Sequence, residues 1–452
     1  MTRKIIKWWM CALFCLLPAA GAWAAGAVYA MTNALGNNQI LFYHRANDGT
    51  LTGPIQTIST GGGGSGLQLS SVDSLGSQGS LKLDDSHHLL FAVNTDSAME
   101  NNGMGGYNQD CNEGTISSYL VGPDGFLTFA DRVMSGGLYP NSLTVTTINR
   151  EEVLYVLNAG GPGFKSGSNT SLCGMQPNIT GFKVNHLGLM TPIVNSTRSI
   201  DPGSLNGTGS GVDCPSTGGF AGATFDCGLN PPAFPRSAAE VRFSPNNAHL
   251  LVTVKGTNSI YVFPVGSTGL TGRAPMIFTA PGPALPTFFG FTFDKRNHLI
   301  VTETFGKAMV IPAGGTGAVS SFTITKTGAL QQISADIGDG GTATCWVAVE
   351  PETGKYAFVS NNLSNPGTLS SYSVAENGSL TLLNAAAAAI NGPNDLAIVR
   401  EPGIATYLYA LDAIDGTVGA FHVNLKDGSL TPVTPTVDGL PANHGAQGLA
   451  AY

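Results

Sequence analysis

Short runs of alternating apolar and polar residues fill the chain, and a glycine-bearing turn recurs among them. Alternation with period two is the pattern of strands that bury one face, and no stretch keeps a helical period. In one run, Thr417-Val418-Gly419-Ala420-Phe421-His422-Val423 leads into Lys426-Asp427-Gly428-Ser429-Leu430-Thr431. An Asp-Gly pair between two such runs predicts a β-hairpin, because Gly accepts the positive φ of the turn and the carboxylate bonds the local backbone. The same turn is written seven times, around Gly49, Gly125, Gly188, Gly269, Gly328, Gly378 and Gly428. A strand-built period of this length predicts a propeller or a solenoid.

Within each repeat three further pieces recur. An apolar strand ends in a polar turn, as in Ser80-Leu81-Lys82-Leu83-Asp84-Asp85 and Val241-Arg242-Phe243-Ser244-Pro245. A hydrophobic strand then closes on a polar residue, as in Leu154-Tyr155-Val156-Leu157-Asn158, and an alternating strand leads to the glycine turn. The segment after the turn supplies a fourth. Four antiparallel strands in seven copies predict an all-β chain folded as a seven-bladed β-propeller. The first repeat begins at its second strand, Val28-Tyr29-Ala30-Met31, and the last is followed by a surplus strand, Gly448-Leu449-Ala450-Ala451-Tyr452. That C-terminal strand is expected to complete the first blade and leave no open edge.

With 452 residues, 42% hydrophobic and 11% charged, the chain can bury a large core and is too apolar to be disordered. A net charge of −8 without a basic stripe argues against nucleic acid as a partner. Residues 1–24 read as a signal peptide: Arg3, Lys4 and Lys7 precede an apolar run, and Ala22-Trp23-Ala24 supplies a small-x-small cleavage site. The expectation is a secreted or periplasmic protein, a single propeller over 25–452, with no membrane segment after signal removal.

Insertions interrupt the period near 97–114, 160–176 and 201–236. Export permits disulfides, and Cys214 and Cys227 share one glycine-rich insertion, which suits a local bridge. Cys111 and Cys173 sit in the other two insertions and form the second expected pair, whereas Cys345 lies in a strand-like run as a small buried residue.

No strong catalytic motif is present, so the candidates come from position. Superposed repeats align the residues ending each second strand: Thr32, Asn94, Asn158, Lys255, Glu303, Asn361 and Asp412. Equivalent positions of a propeller lie at equal height around its axis, so this set rings one mouth of the channel. Asn or Asp after a strand commonly caps the next turn; the departures Lys255, Glu303 and Asp412 are therefore the catalytic candidates, a carboxylate near a cation being able to hold water as a general base. Asn94, Asn158 and Asn361 are candidates for substrate binding. At the start of the inner strands Gly79, Asn141, Ala239, Phe289, Cys345, Asn394 and Gln447 align, and one step later Ser80, Ser142, Glu240, Gly290, Trp346, Asp395 and Gly448. Trp346 reads either as a stacking platform or as a packed core indole. Glu240 and Asp395 are candidates for substrate binding; the alternative, coordination of a hard cation together with Asn394, has no calcium-loop spacing behind it. His444 reads as an acid–base group or a solvated loop residue. No metal or cofactor is expected.

Leu154-Tyr155-Val156-Leu157-Asn158, Phe243-Ser244-Pro245, Cys345-Trp346-Val347-Ala348-Val349 and the recurring Asp-Gly-Ser-Leu-Thr resemble the seven-bladed lactonase family, which includes a bacterial 6-phosphogluconolactonase and fungal carboxymuconate-lactonising enzymes. The resemblance covers nearly all of the mature chain and implies a hydrolase of a lactone or similar cyclic ester. It implies a cleft on the propeller face with His, Arg and Glu residues, where Glu303 occupies a position open to a family glutamate. A Gly-Pro-Arg-His run is missing; Pro235-Arg236-Ser237 is the nearest match, three residues early and without the His. Arg242 lies near an inner strand, with an alternation compatible with pointing away from the channel. On this reading Glu303 activates water and Lys255 or Arg236 stabilises the oxyanion. The competing expectation is a non-catalytic propeller that holds a glycan, peptide or protein partner on one face. One fold hosts many functions.

Overall fold

In the computed structural model, six four-stranded antiparallel sheets and a seventh whose outer edge is split between Met190–Pro192 and Arg198–Ser199 form the blades, beside a two-stranded ribbon in one insertion. The structure describes residues 26–66, 73–84, 86, 88–96, 113–160, 177–200, 237–255, 257–280, 288–304, 317–364 and 366–452, and the backbone of the short strands Met99–Asn101 and Tyr107–Gln109. The expected signal peptide, Arg236, Cys111, Cys173, Cys214 and Cys227 lie outside the described residues, as do most of the three insertions. Cys345 is described, buried and free.

From the inside outward, blade 2 is built by Leu81–Asp84, Leu89–Asn94, Thr115–Val121 and Leu127–Met134. Blades 3 to 7 begin at inner strands Pro140–Ile148, Ala238–Phe243, Phe288–Phe293, Thr344–Val349 and Pro393–Glu401. Blade 1 takes its inner strand from the other end of the chain. Leu449–Ala451 pairs antiparallel with Gly26–Met31, in the register Val28 to Ala451 and Ala30 to Leu449. The expected closure is present, and it removes the two edges an open array would expose.

Glycine turns do more than reverse the chain. All seven have positive φ, between 73° and 88°, which a side chain would strain. Asp48, Asp124, Asn377 and Asp427 each accept the backbone N–H two residues on, as the turn chemistry requires. Five of these glycine carbonyls also accept a hydroxyl from the preceding blade. Tyr29, Tyr155 and Tyr409 donate to Gly125, Gly269 and Gly49, and Ser118 and Ser321 donate to Gly188 and Gly378. The repeated turn is thus also a repeated joint between blades.

Strand direction assigns the faces. Each inner strand runs away from one face and its partner returns to it, so the second-to-third and blade-to-blade connections share that face. The described residues that flank all three insertions lie on it. The glycine turns lie on the opposite face.

Candidate functional site

Five inner strands carry a β-bulge near their start, at Pro140/Ser142, Ala238/Glu240, Phe288/Phe291, Thr344/Val347 and Asn394/Leu396. A bulge adds an unpaired residue and re-aims the side chains after it. The two aligned positions that open the inner strands are these bulges, which is why simple alternation misplaces their neighbours. Arg242 is the clear case: it lines the channel rather than pointing away from it.

Residues 73–79 lie across the mouth on the insertion side. Gln78 N–H donates to Ala239 O in blade 4, and the Gln78 side chain bonds both the carbonyl and the N–H of Val347 in blade 6, each at 3.0 Å. Ser77 Oγ donates to Asn141 O in blade 3, while Ser77 O accepts from Trp346 Nε1 and Gln447 Nε2. In blade 5, Gly290 leaves the room that Gln78 occupies; a Cβ there would collide with Gln78 Oε1 and Cys345 O. A segment bonded to blades on opposite sides of the ring crosses its axis, and residues 73–78 are buried. The mouth is plugged by the chain itself.

This placement defines what the mouth residues do. Lys255 Nζ donates to Gly76 O inside the plug and sits 4.9 Å from the centroid of Phe289. Burial pushes its ammonium below the ordinary lysine range, with the Asp73 carboxylate opposing; burial in turn raises Asp73, with Lys255 opposing. Glu303 is buried and accepts from Ser320 Oγ. Asp412 accepts the backbone N–H groups of Asn391, Gly392, Ile414 and Asp415, which ties the connection between blades 6 and 7 to the loop between the second and third strands of blade 7. Asn94 donates to Thr115 and Ser117, Asn158 to Ser135 O and Asn178, and Asn361 to Thr368 and Ser370, all near their own blades. Trp346 is fully buried against Phe289, edge to face with centroids 5.4 Å apart. His444 is exposed and bonded to Ala442 O.

Beneath the plug the channel widens into a cavity of about 230 Å3. Gln78, Lys82, Arg242, Thr292 and Asp395 supply its polar wall, and Leu81, Val347, Leu396, Leu449 and neighbours the rest. Arg242 is held by Glu240 through Nη2 at 2.6 Å and Nε at 2.8 Å, and Glu240 also accepts Phe291 N–H. The nearby Arg242 guanidinium, then burial, holds the Lys82 ammonium below its ordinary value, with Glu240 and Asp395 opposing. Burial pushes the Asp395 carboxyl up to about 8 against the pull of the Gly448 amide, and the Glu240 and Asp73 carboxylates add to the rise. Among the described residues Asp395 Oδ2 makes no hydrogen bond. A carboxyl with a raised pKa beside an amine with a lowered one can give and take protons near neutral pH. Glu240 and Asp395 were legible as candidates from repeat alignment. Lys82 was not, although a lysine in the middle of an innermost strand is the signal that could have found it. Among the described residues no cluster of three metal-ligating side chains forms.

No protein-family model matches the chain, and no curated protein matches it in sequence. Solved structures do. The periplasmic gluconolactonase of Pseudomonas aeruginosa superposes with a TM-score of 0.64 at 15% identity, over 94% of this chain and 98% of that one. A protein of Bacteroides fragilis described as a candidate 6-phosphogluconolactonase gives 0.61 at 14%, over 95% and 99%. Its Bacteroides uniformis counterpart gives 0.61 at 14%, over 94% and 99%. At these identities the likeness establishes the fold, a seven-bladed β-propeller.

Proposed function

We propose that the chain hydrolyses a small lactone or similar cyclic ester in the channel cavity beneath the plug. The observation that carries this reading is the grouping of Asp395, Lys82 and the Glu240-held Arg242 around one small cavity. A cyclic ester needs a base for the attacking water, a cation for the oxyanion and an acid for the departing ring oxygen. Lys82 as free amine takes the water proton while oxygen bonds to the carbonyl carbon, and Arg242 faces the oxyanion. On collapse the acyl carbon–oxygen bond breaks, and Asp395 protonates the alkoxide. The hydroxy acid then ionises, and the Lys82 ammonium returns its proton to Asp395, so one proton is released per turnover.

The earlier assignment of Glu303, Lys255 and Asp412 as the catalytic set is the competing assignment within the same activity. The periplasmic neighbour and the sequence of residues 1–24 support an exported protein. No helix among the described residues is long and apolar enough to cross a membrane. A second reading, a binding propeller, is favoured by a groove of about 440 Å3 between blades 6 and 7, lined by Ile390, Phe421, Val433, Asp412 and Asp415.

A panel of aldono- and alkyl lactones assayed by proton release tests the proposal. Wild type should turn over at least one, with Asp395→Asn and Lys82→Gln reduced at least 100-fold and Asp412→Asn folded. Loss only in Glu303→Gln and Lys255→Ala would move the site to the mouth. No turnover on any lactone, with ligand-dependent quenching of Trp346, would overturn hydrolysis in favour of binding.

A further inference from the structure

We infer that ligand enters the cavity only from the face of the glycine turns, and that residues 73–79 are a fixed stopper whose Gln78 forms the blind end and limits ligand length. The inference rests on the cavity site proposed above but is carried by separate observations. Exposure along the inner strands rises in one direction. Leu81, Val347 and Ala348, Leu396, Phe291, Val241, Thr144 and Leu449 are buried; Lys82 and Leu83, Val349, Ala397 and Ile398, Thr292, Arg242, Val145 and Ala451 are half-buried. All seven inner strands thus begin buried under the plug and reach their first half-buried residues on the side of the turn face, with Ile148, Phe243 and Val399 beyond these buried again between the blades.

The opposite end has no such gradient. Leu75 N–H donates to Gln447 Oε1 and Tyr139 Oη donates to Ser74 O, both in buried surroundings. Opening the plug would expose its buried amides, the Lys255 ammonium and the Trp346 indole at once, and leave their carbonyl partners unpaired; each lost buried bond costs about 1–3 kcal/mol. With roughly a dozen polar partners shared among five blades, displacement on the timescale of turnover is excluded. Lys255 is accordingly a positioning residue that acts through the plug. Gln78, tied to Val347 at both ends of its amide, sets the depth of the well. A cavity of about 230 Å3 closed at one end accepts a compact lactone or an end-on ring. It does not pass a polymer through the propeller.

Two measurements independent of turnover test this. Thr292→Cys and Ser77→Cys are treated with methyl methanethiosulfonate and the labelled peptides quantified by mass spectrometry. Thr292→Cys should label at least 100-fold faster than Ser77→Cys. Hydrogen exchange on the unmutated protein should show the Leu75 and Gln78 amides as protected as the central blade strands, and Lys255→Met should speed their exchange at least tenfold. Comparable labelling of the two cysteines, no labelling of Thr292→Cys, or exchange of the plug amides at loop rates overturns the inference. In a lactone panel, Gln78→Ala should shift preference toward longer substrates. If no lactone is hydrolysed while labelling and exchange behave as stated, the chemistry fails and the entry route stands.

Discussion

Replacing Asp395 by Asn should stabilise the fold and slow its chemistry, a pairing that structural damage does not produce. The carboxyl is buried, stands on an inner-strand bulge at a φ of 20°, and has a folded pKa of about 8 against an ordinary 3.8. Because the folded value lies above the unfolded one, the folded state binds more protons between these two values. Stability is therefore full below about pH 4 and falls as pH rises, by about 1.4 kcal/mol per unit, until the folded group ionises. At pH 7 the interval from 3.8 is about 3 units, so Asp395 costs the wild type about 4 kcal/mol relative to acid conditions. Asn has the shape of the neutral acid and no such penalty. Urea unfolding of both proteins from pH 4.5 to 8 should give curves that diverge with rising pH, with the variant about 4 kcal/mol more stable at pH 7. Lactone turnover should fall by about 10²–10⁴, the usual contribution of a general acid. A stability difference that stays flat across that pH range would refute the assignment of a neutral buried acid, whatever the activity does.

Glu152 offers a control away from the cavity: burial and a hydrogen bond shared with Asp84 raise its carboxyl to about 9, so Glu152→Gln should gain stability relative to wild type as pH rises from 4.5 to 7 in urea unfolding, with activity unchanged. Gly290→Ala forces a Cβ against Gln78 and the Cys345 carbonyl and should cost about 1–3 kcal/mol in chemical denaturation. Tyr155→Phe removes one joint to Gly269 and should cost about 1 kcal/mol, measured the same way.

Strand period, turn type, blade number and closure were legible because each is local or repeated. A two-residue alternation and an Asp-Gly turn require no knowledge of distant residues, and seven copies reinforce one another. The cavity was legible only in part. Glu240 and Asp395 surfaced from the alignment of repeats, yet the bulges beside them shift the inward register by one, and alternation alone sent Arg242 the wrong way. Lys82 read as one polar residue between two leucines, and nothing near it in the chain foretold Arg242 beside it.

The plug was illegible for a different reason. Asp73-Ser74-Leu75-Gly76-Ser77-Gln78-Gly79 reads as an ordinary polar connection between blades. Its meaning comes from Gln78 meeting Val347 and Trp346 meeting Ser77, partners 269 residues apart. Local patterning by itself determined that this chain closes seven blades around an axis. Only the tertiary structure decided which end of that axis is open, because that depends on which buried amides, far apart in the chain, find each other across it.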